Sequence, residues 1–177
     1  MDIVTIHALT AENQSDLNRC DRSFVVEAEL SLRAEDGQIS YSIRPVASWT
    51  KRYAPDRKAV DYVERPGRAA WLAYVDGSIA GQILVQEHWN RFAYVWDLAV
   101  DPPFRRQGIG RRLMQEAIVW ARERRLAGVI VETQNINVPA CHFYESCGFV
   151  LRGFDAYLYR GFDRDTQEMA LFYYLTF

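Results

Sequence analysis

A strand that stops at two prolines and re-enters as a helix through two glycines restricts the fold of this chain more than any other stretch. Tyr94 to Gly110 reads YVWDLAVDPPFRRQGIG. Tyr94 to Val100 is rich in aromatic and β-branched residues, and Pro102-Pro103 removes the N–H groups that would extend its ladder. After Gly108, Ile109, Leu113, Met114, Ala117, Ile118 and Ala121 recur at helical spacing. Arg111, Arg112, Gln115, Glu116, Arg122 and Glu123 take the opposite face, so the apolar stripe is core. A strand that turns through glycines into a helix N-terminus aims backbone N–H groups and the positive end of the dipole at one spot. That spot suits an anion such as phosphate.

The rest of the chain is placed around this turn. Asp2 to Leu9 reads as a first strand and Ala11 to Cys20 as a short polar helix. Phe24, Val26, Ala28, Leu30 and Leu32 alternate with mostly polar neighbours, and alternation resumes at Ile39, Tyr41 and Ile43 after Asp36-Gly37, which predicts a hairpin. Pro45 to Gly67 loses the pattern and reads as a long connection, open to being a binding loop or a plain surface loop. Ala69 to Val75, Asp76-Gly77 and Ile79 to Gln86 form a second hairpin, which leads into the Tyr94 strand as an antiparallel meander. Val129 to Gln134 follows the helix. One helical crossover separates it from the Tyr94 strand, so these two should be parallel. A short helix then has Asn137 as N-cap, Pro139 in its first turn and Gly148 past its end. Phe149 to Tyr159 and Glu168 to Phe177 close the chain as strands. The order implies an α+β (mixed α/β) fold in a single domain, 1–177. Within it lie an N-terminal hairpin (22–46), a candidate substrate loop (47–67) and a core around the phosphate-binding turn (94–149).

Composition narrows the function classes. With 177 residues and a net charge of −2, the chain lacks the basic excess of a nucleic-acid binder. Its arginines gather in and after the opening stretch, at 105, 106, 111, 112, 122, 124 and 125; most read as a solvated helix face, and those nearest the turn can draw a polyanion. Three cysteines, Cys20, Cys141 and Cys147, lack metal-like spacing, and His7, His88 and His142 are scattered, so neither a disulfide scaffold nor a metal site is expected. No leader pattern and no membrane-length apolar run appears, so a cytoplasmic protein without membrane contact is expected.

Three phosphate ligands compete for the turn. A P-loop needs Gly-Lys-Ser/Thr, whereas Arg111 and Arg112 follow Gly110. A dinucleotide fold needs a third glycine where Leu113 stands, and an alternating βα start. The remaining reading is coenzyme A. Arg105, Gly108 and Gly110 fill an Arg-x-x-Gly-x-Gly pattern. Leu98-Ala99-Val100-Asp101-Pro102 precedes it, and Asn137-x-x-Ala140-x-x-Phe143-Tyr144-Glu145-x-x-Gly148-Phe149 follows. In these three linked motifs the chain resembles the GNAT superfamily of N-acetyltransferases. The resemblance implies a largely antiparallel sheet whose central parallel pair splays to admit acetyl-CoA, with helices on both faces and no metal. Backbone amides from Gln107 to Arg111 (Gln107, Gly108, Ile109, Gly110, Arg111), with Arg105 and Arg106 at the turn, would hold the pyrophosphate. Leu98, Ala99 and Val100 would pair with pantetheine, and Asn137 and Ala140 would lie along that arm. The resemblance thus assigns the 94–149 core to acetyl-CoA.

Acetylating an amine requires removing a proton from a group whose pKa lies near ~10 and protonating a departing thiolate. Glu132 follows Val129-Ile130-Val131 on a strand expected to be central, where a carboxylate is costly without a purpose. It is the candidate base, against a solvated or arginine-paired Glu at the strand's end. Tyr144 lies two helical turns after Asn137, on the same face, and is the candidate acid at the family's position for that role, against packing alone. Cys141 and Cys147 read as small packed thiols rather than acyl carriers, and His142, three residues before Glu145, as part of a solvated face.

Within the superfamily the chain is most similar to the streptothricin (nourseothricin) acetyltransferases. The matching stretches are Trp89-Asn90-Arg91, Glu132-Thr133-Gln134, Asn137 to Phe149, Gly153-x-Asp155 with Tyr159, and Leu171-Phe172-Tyr173-Tyr174. That likeness implies a small cationic amine as partner and a pocket of carboxylates and aromatics. Tyr53, Trp89, Tyr94, Trp96, Asp97, Glu132 and Tyr157 are the candidates; plain packing is the alternative for each aromatic. Two departures stand out. The group's acidic run before the second hairpin is here Asp56, Asp61 and Glu64 among six basic residues, and Trp96 replaces a carboxylate beside Asp97. These keep open a peptide N-terminus, lysine or polyamine as acceptor, or a non-catalytic acyl-CoA-binding module. The aromatic last strand is a candidate homodimer surface.

Overall fold

The computed structural model describes residues 3–53, 58 and 61–177. Contacts divide the chain into two compact units. One comprises Met1–Arg22, Tyr53–Val129 and Thr176–Phe177; the other comprises Ser23–Arg52 and Ile130–Leu175.

In the first unit, β1 (Val4–Ala8), β4 (Arg68–Val75), β5 (Ser78–Glu87) and β6 (Ala93–Val100) lie in that order and pair antiparallel. The turn between β4 and β5 holds Asp76 at φ 47° and Gly77 at φ 81°. This is the two-residue geometry that Asp-Gly announces. In β5, Ala80 to Val85 are buried without a break. An unbroken buried run means both strand faces are covered. Leu84 joins Leu9, Leu17, Tyr62, Ala70 and Leu72 in one core cluster. Gly81 meets the helix α1 (Ile109–Glu123) instead. A Cβ there would stand 2.9 Å from the Ala99 carbonyl oxygen and 3.0 Å from Leu113 Cδ1. Only glycine lets the first turns of α1 come this close to the sheet. Ile109, Leu113, Met114, Ala117, Trp120 and Ala121 form the buried stripe of α1.

In the second unit, β2 (Phe24–Glu35) and β3 (Gln38–Lys51) form a long hairpin around Asp36-Gly37. β7 (Gly128–Gln134), β9 (Ala170–Thr176) and β8 (Val150–Asp155) follow one another, β8 and β9 antiparallel, and α2 (Val138–Ser146) packs against β2. Asn135, directly after β7, ties this unit together. Its carbonyl accepts from Leu30 N (2.8 Å), its N–H donates to Met169 O (3.0 Å), and its Oδ1 accepts from Met169 N (2.9 Å). Its Nδ2 donates to Leu30 O at 3.4 Å. Asn135 is 3% exposed, so truncating its side chain orphans Met169 N and strips one donor from Leu30 O with little solvent in exchange. Asn135→Ala is expected to cost about 2 kcal/mol, lowering Tm by roughly 4–8 °C in thermal unfolding.

Three sequence expectations are corrected. Residues 11–20 form only a 3-10 turn, Gln14–Asp16. Asn13 Nδ2 donates to Ala8 O and Asn13 Oδ1 accepts from Thr10 N, local bonds that compete with a helix. The connection after the first hairpin starts later than Pro45, because β3 runs on to Lys51. Pro45 pairs with Ala28 in a two-stranded ribbon, where each strand keeps one edge that needs no donor. The strand predicted to reach Tyr159 ends at Asp155, whose Oδ1 accepts from Tyr157 N (2.7 Å) and Leu158 N (3.0 Å) and turns the chain into a 3-10 segment, Leu158–Gly161. Part of the candidate loop at 47–67, namely 54–57, 59 and 60, lies outside the described residues.

Candidate active site

The turn into α1 is braced from its own side chains. Arg105 Nε donates to the Val100 carbonyl (2.8 Å) and its Nη2 to the Asp21 carbonyl (3.1 Å). Gln107 Nε2 donates to Pro103 O (3.2 Å), and Asp101 accepts from Asp21 N (2.7 Å) while donating its own N–H to Ala80 O (2.9 Å). Arg105 thus shapes the turn with its side chain. Arg106 (φ 67°) and Gly108 (φ 80°) are both left-handed, and Gly108 is the N-cap of α1 with no side-chain cap bond. The helical ladder starts with Arg112 N to Gly108 O (3.1 Å), so the amides before Arg112 precede it at the open helix end. Arg106, Gln107, Gly108, Arg111 and Arg112 are exposed, Gly110 is half-buried, and Ile109 is a core anchor. Amides at the open helix end, a dipole end and flanking guanidinium groups fit a pyrophosphate. Leu98, Ala99 and Val100 pair with Ile83, Gln82 and Gly81 in β6–β5.

β6 carries one extra residue. Leu84 faces Asp97 and Val85 faces Val95, so Trp96 is bulged out of the ladder. The aromatic candidates of this unit form a row. Trp89 and His88 rings lie 5.7 Å apart, His88 and Tyr94 5.3 Å, and Tyr94 and Trp96 4.9 Å. Trp89 is 88% exposed at one end of the row. His88, one of three histidines scattered in the sequence, stands between Trp89 and Tyr94 in this row. Tyr53 is half-buried just before the undescribed stretch. Asp97 is not an open carboxylate: Arg22 holds both its oxygens (Nη2 at 2.9 Å, Nε at 3.2 Å) and Gln82 Nε2 donates to it as well. Its charge is met by Arg22, so it stands beside the aromatic row as a paired carboxylate. A polar Gln82 within the apolar run of β5 was the sequence signal for such a network.

In the second unit, Glu132 is half-buried where the continuous burial of β7 gives way to alternation. It accepts a hydrogen bond from the Tyr159 phenol, which itself accepts from Gln134 Nε2 (3.0 Å). Asn137 caps α2 as expected, its Oδ1 accepting from Ala140 N (3.3 Å), which leaves its amide nitrogen to serve as a donor. Tyr144 is buried, with its ring near those of Phe143 (5.5 Å), Tyr173 (6.0 Å) and Phe149 (6.1 Å). Cys141 is fully buried and burial pushes its thiol up to about 11, so it stays protonated and out of reach as an acyl carrier. Tyr157 is 71% exposed, with the Arg160 guanidinium over its ring at 4.6 Å. No helix among the described residues is long and apolar enough to cross a membrane.

Comparison with known proteins identifies the family. Residues 33–149 match the model of the acetyltransferase (GNAT) family. Streptothricin acetyltransferase A of Bacillus subtilis (strain 168) is 35% identical over 173 residues, 97% of this chain and 99% of that protein. A streptothricin acetyltransferase of Escherichia coli is 30% identical over 154 residues, covering 87% of this chain and 86% of the relative. Among solved structures, a candidate streptothricin acetyltransferase of Bacillus anthracis str. Ames, in complex with acetyl coenzyme A, superimposes with a TM-score of 0.94. It is 36% identical and the match covers 99% of this chain and 100% of that one. The expected α+β fold, a mixed sheet with one parallel strand pair, is the fold of these neighbours. The cosubstrate is acetyl-CoA and the reaction acyl transfer. The chain belongs to the GNAT family of acetyltransferases.

Proposed function

We propose that this acetyltransferase acetylates a primary amine of a streptothricin-type antibiotic. The observation that carries the reading is the extent of the likeness. It runs over nearly the whole chain, hairpin and terminal strands included, and so reaches beyond the part that serves acetyl-CoA. The aromatic row from Trp89 to Trp96 supports it, since aromatic faces attract organic cations.

Acetyl-CoA supplies the acyl group and the thiolate that leaves. The amides from Gln107 to Arg111 hold the pyrophosphate, and Arg105 keeps the turn in shape to do so. Glu132 takes the proton from the acceptor ammonium, and the Tyr144 phenol gives one to the leaving sulfur; its pKa range suits an alkyl thiolate. A second reading has an observation of its own. With Asp97 paired to Arg22, fewer open acids remain for a polycation, which favours a less charged acceptor such as a peptide amine.

Thiol release from acetyl-CoA, measured across streptothricin, spermidine, a lysine peptide and a peptide with a free N-terminus, separates the two. Streptothricin is expected to give the highest kcat/KM by at least about a hundredfold, the ratio worth roughly 2.7 kcal/mol of transition-state binding. A peptide that matches or exceeds it would establish the second reading, and a polyamine that does so would overturn both.

A further inference from the structure

We propose that Tyr159 is the positioning residue for Glu132, an inference that rests on Glu132 being the base. The relevant residues all belong to the second unit. Glu132 and Gln134 are two apart on β7, so their side chains leave the same strand face. Tyr159 comes from the segment between β8 and β9, brought round by the Asp155 turn that accepts from Tyr157 N and Leu158 N. Its phenol sits between the two β7 side chains. Gln134 Nε2 donates to the phenol oxygen at 3.0 Å, and the phenol O–H donates to Glu132 Oε1.

The direction of these bonds gives them a purpose. A phenol oxygen that accepts a hydrogen bond becomes a better donor through its own O–H. Gln134 therefore both orients Tyr159 and strengthens its hold on the carboxylate. A glutamate side chain has three torsions and several rotamers; a phenol that holds one oxygen selects a single rotamer and so fixes the direction the carboxylate presents. Tyr159 touches neither acetyl group nor amine in this scheme. Its effect runs through Glu132.

The test is a double-mutant cycle with Tyr159→Phe and Glu132→Gln, read by thiol release with acetyl-CoA and whichever amine of the panel turns over fastest. A phenylalanine keeps the ring and its packing, so a merely structural role would leave the kinetics alone. Tyr159→Phe is expected to lower kcat about ten- to hundredfold with KM for acetyl-CoA unchanged within about twofold, the scale of a misplaced catalytic group. The double variant is expected to be no slower than Glu132→Gln alone. An unchanged kcat in Tyr159→Phe beside a collapsed Glu132→Gln overturns the positioning role and leaves the base standing. Additive losses would show Tyr159 acting apart from Glu132. If neither single variant loses activity, the base reading fails and carries this one with it. A crystal structure of Tyr159→Phe gives a readout independent of turnover. Glu132 is expected to leave its wild-type rotamer, and an unmoved Glu132 would refute the proposal.

Discussion

Glu132→Gln is expected to reduce kcat/KM for the amine by about 10²–10⁴, the usual worth of a general base. The substitution is close to isosteric, and the amide oxygen can still accept from the Tyr159 phenol, so the local geometry survives. What disappears is the capacity to take a proton. An alkyl ammonium near pH 7 is almost wholly protonated, and only the neutral amine attacks a thioester. The loss should shrink as pH rises toward the amine's own pKa, because solvent then supplies the deprotonated nucleophile. Acetyl-CoA affinity, measured by calorimetry, should not move, since the pyrophosphate turn at Arg105 to Gly110 does not involve this residue. A loss below about tenfold, roughly 1.4 kcal/mol, would remove Glu132 from the chemistry.

How far such residues were readable in the sequence depends on the range of the forces that place them. The strand–turn–helix at 94–110 and the Asp-Gly hairpins were legible because their determinants are local: backbone freedom at glycine, a missing N–H at proline, and side-chain period. The cap at Asn137 was legible for the same reason. The 11–20 segment misled because Thr10 and Asn13 satisfy the backbone without a helix, a choice between two local solutions that composition does not decide. Pro45 misled because its cost depends on whether both strand edges are needed. Glu132 could be singled out as a carboxylate after an apolar run. Tyr159, 27 residues further on, could not be given its role, because only the Asp155 turn brings it back to β7. His88 likewise gains meaning only beside Tyr94 and Trp89. Asp97 is the converse case. It had the right charge and position for a cation site, and its partner, Arg22, stands 75 residues away in sequence.

That partnership leads to the second large effect. Arg22→Ala is expected to destabilise the protein by about 3 kcal/mol, at the lower end of what breaking a buried ion pair costs, because Asp97 keeps a little solvent. The side chains are 10% and 20% exposed, respectively. Arg22 also donates to Asn18 Oδ1 at 2.6 Å, and Asn18 N donates to Gln82 Oε1 at 2.7 Å. Gln82, fully buried, donates to Asp97 in turn. Removing the guanidinium therefore leaves a poorly solvated carboxylate and loosens the 18–22 segment from β5 and β6 next to the Trp96 bulge. At this chain length, 3 kcal/mol corresponds to a fall in Tm of about 6–12 °C, and urea unfolding should give the same energy from the midpoint shift at constant m. The double variant Arg22→Ala, Asp97→Ala should regain part of the loss, because the penalty lies in the uncompensated charge more than in the missing contact. A cost under about 1 kcal/mol for Arg22→Ala would place the pair among solvent-screened surface bridges. Asp97 would then return as a carboxylate able to meet a cationic substrate, so this stability measurement also decides whether the acceptor site has that acid to use.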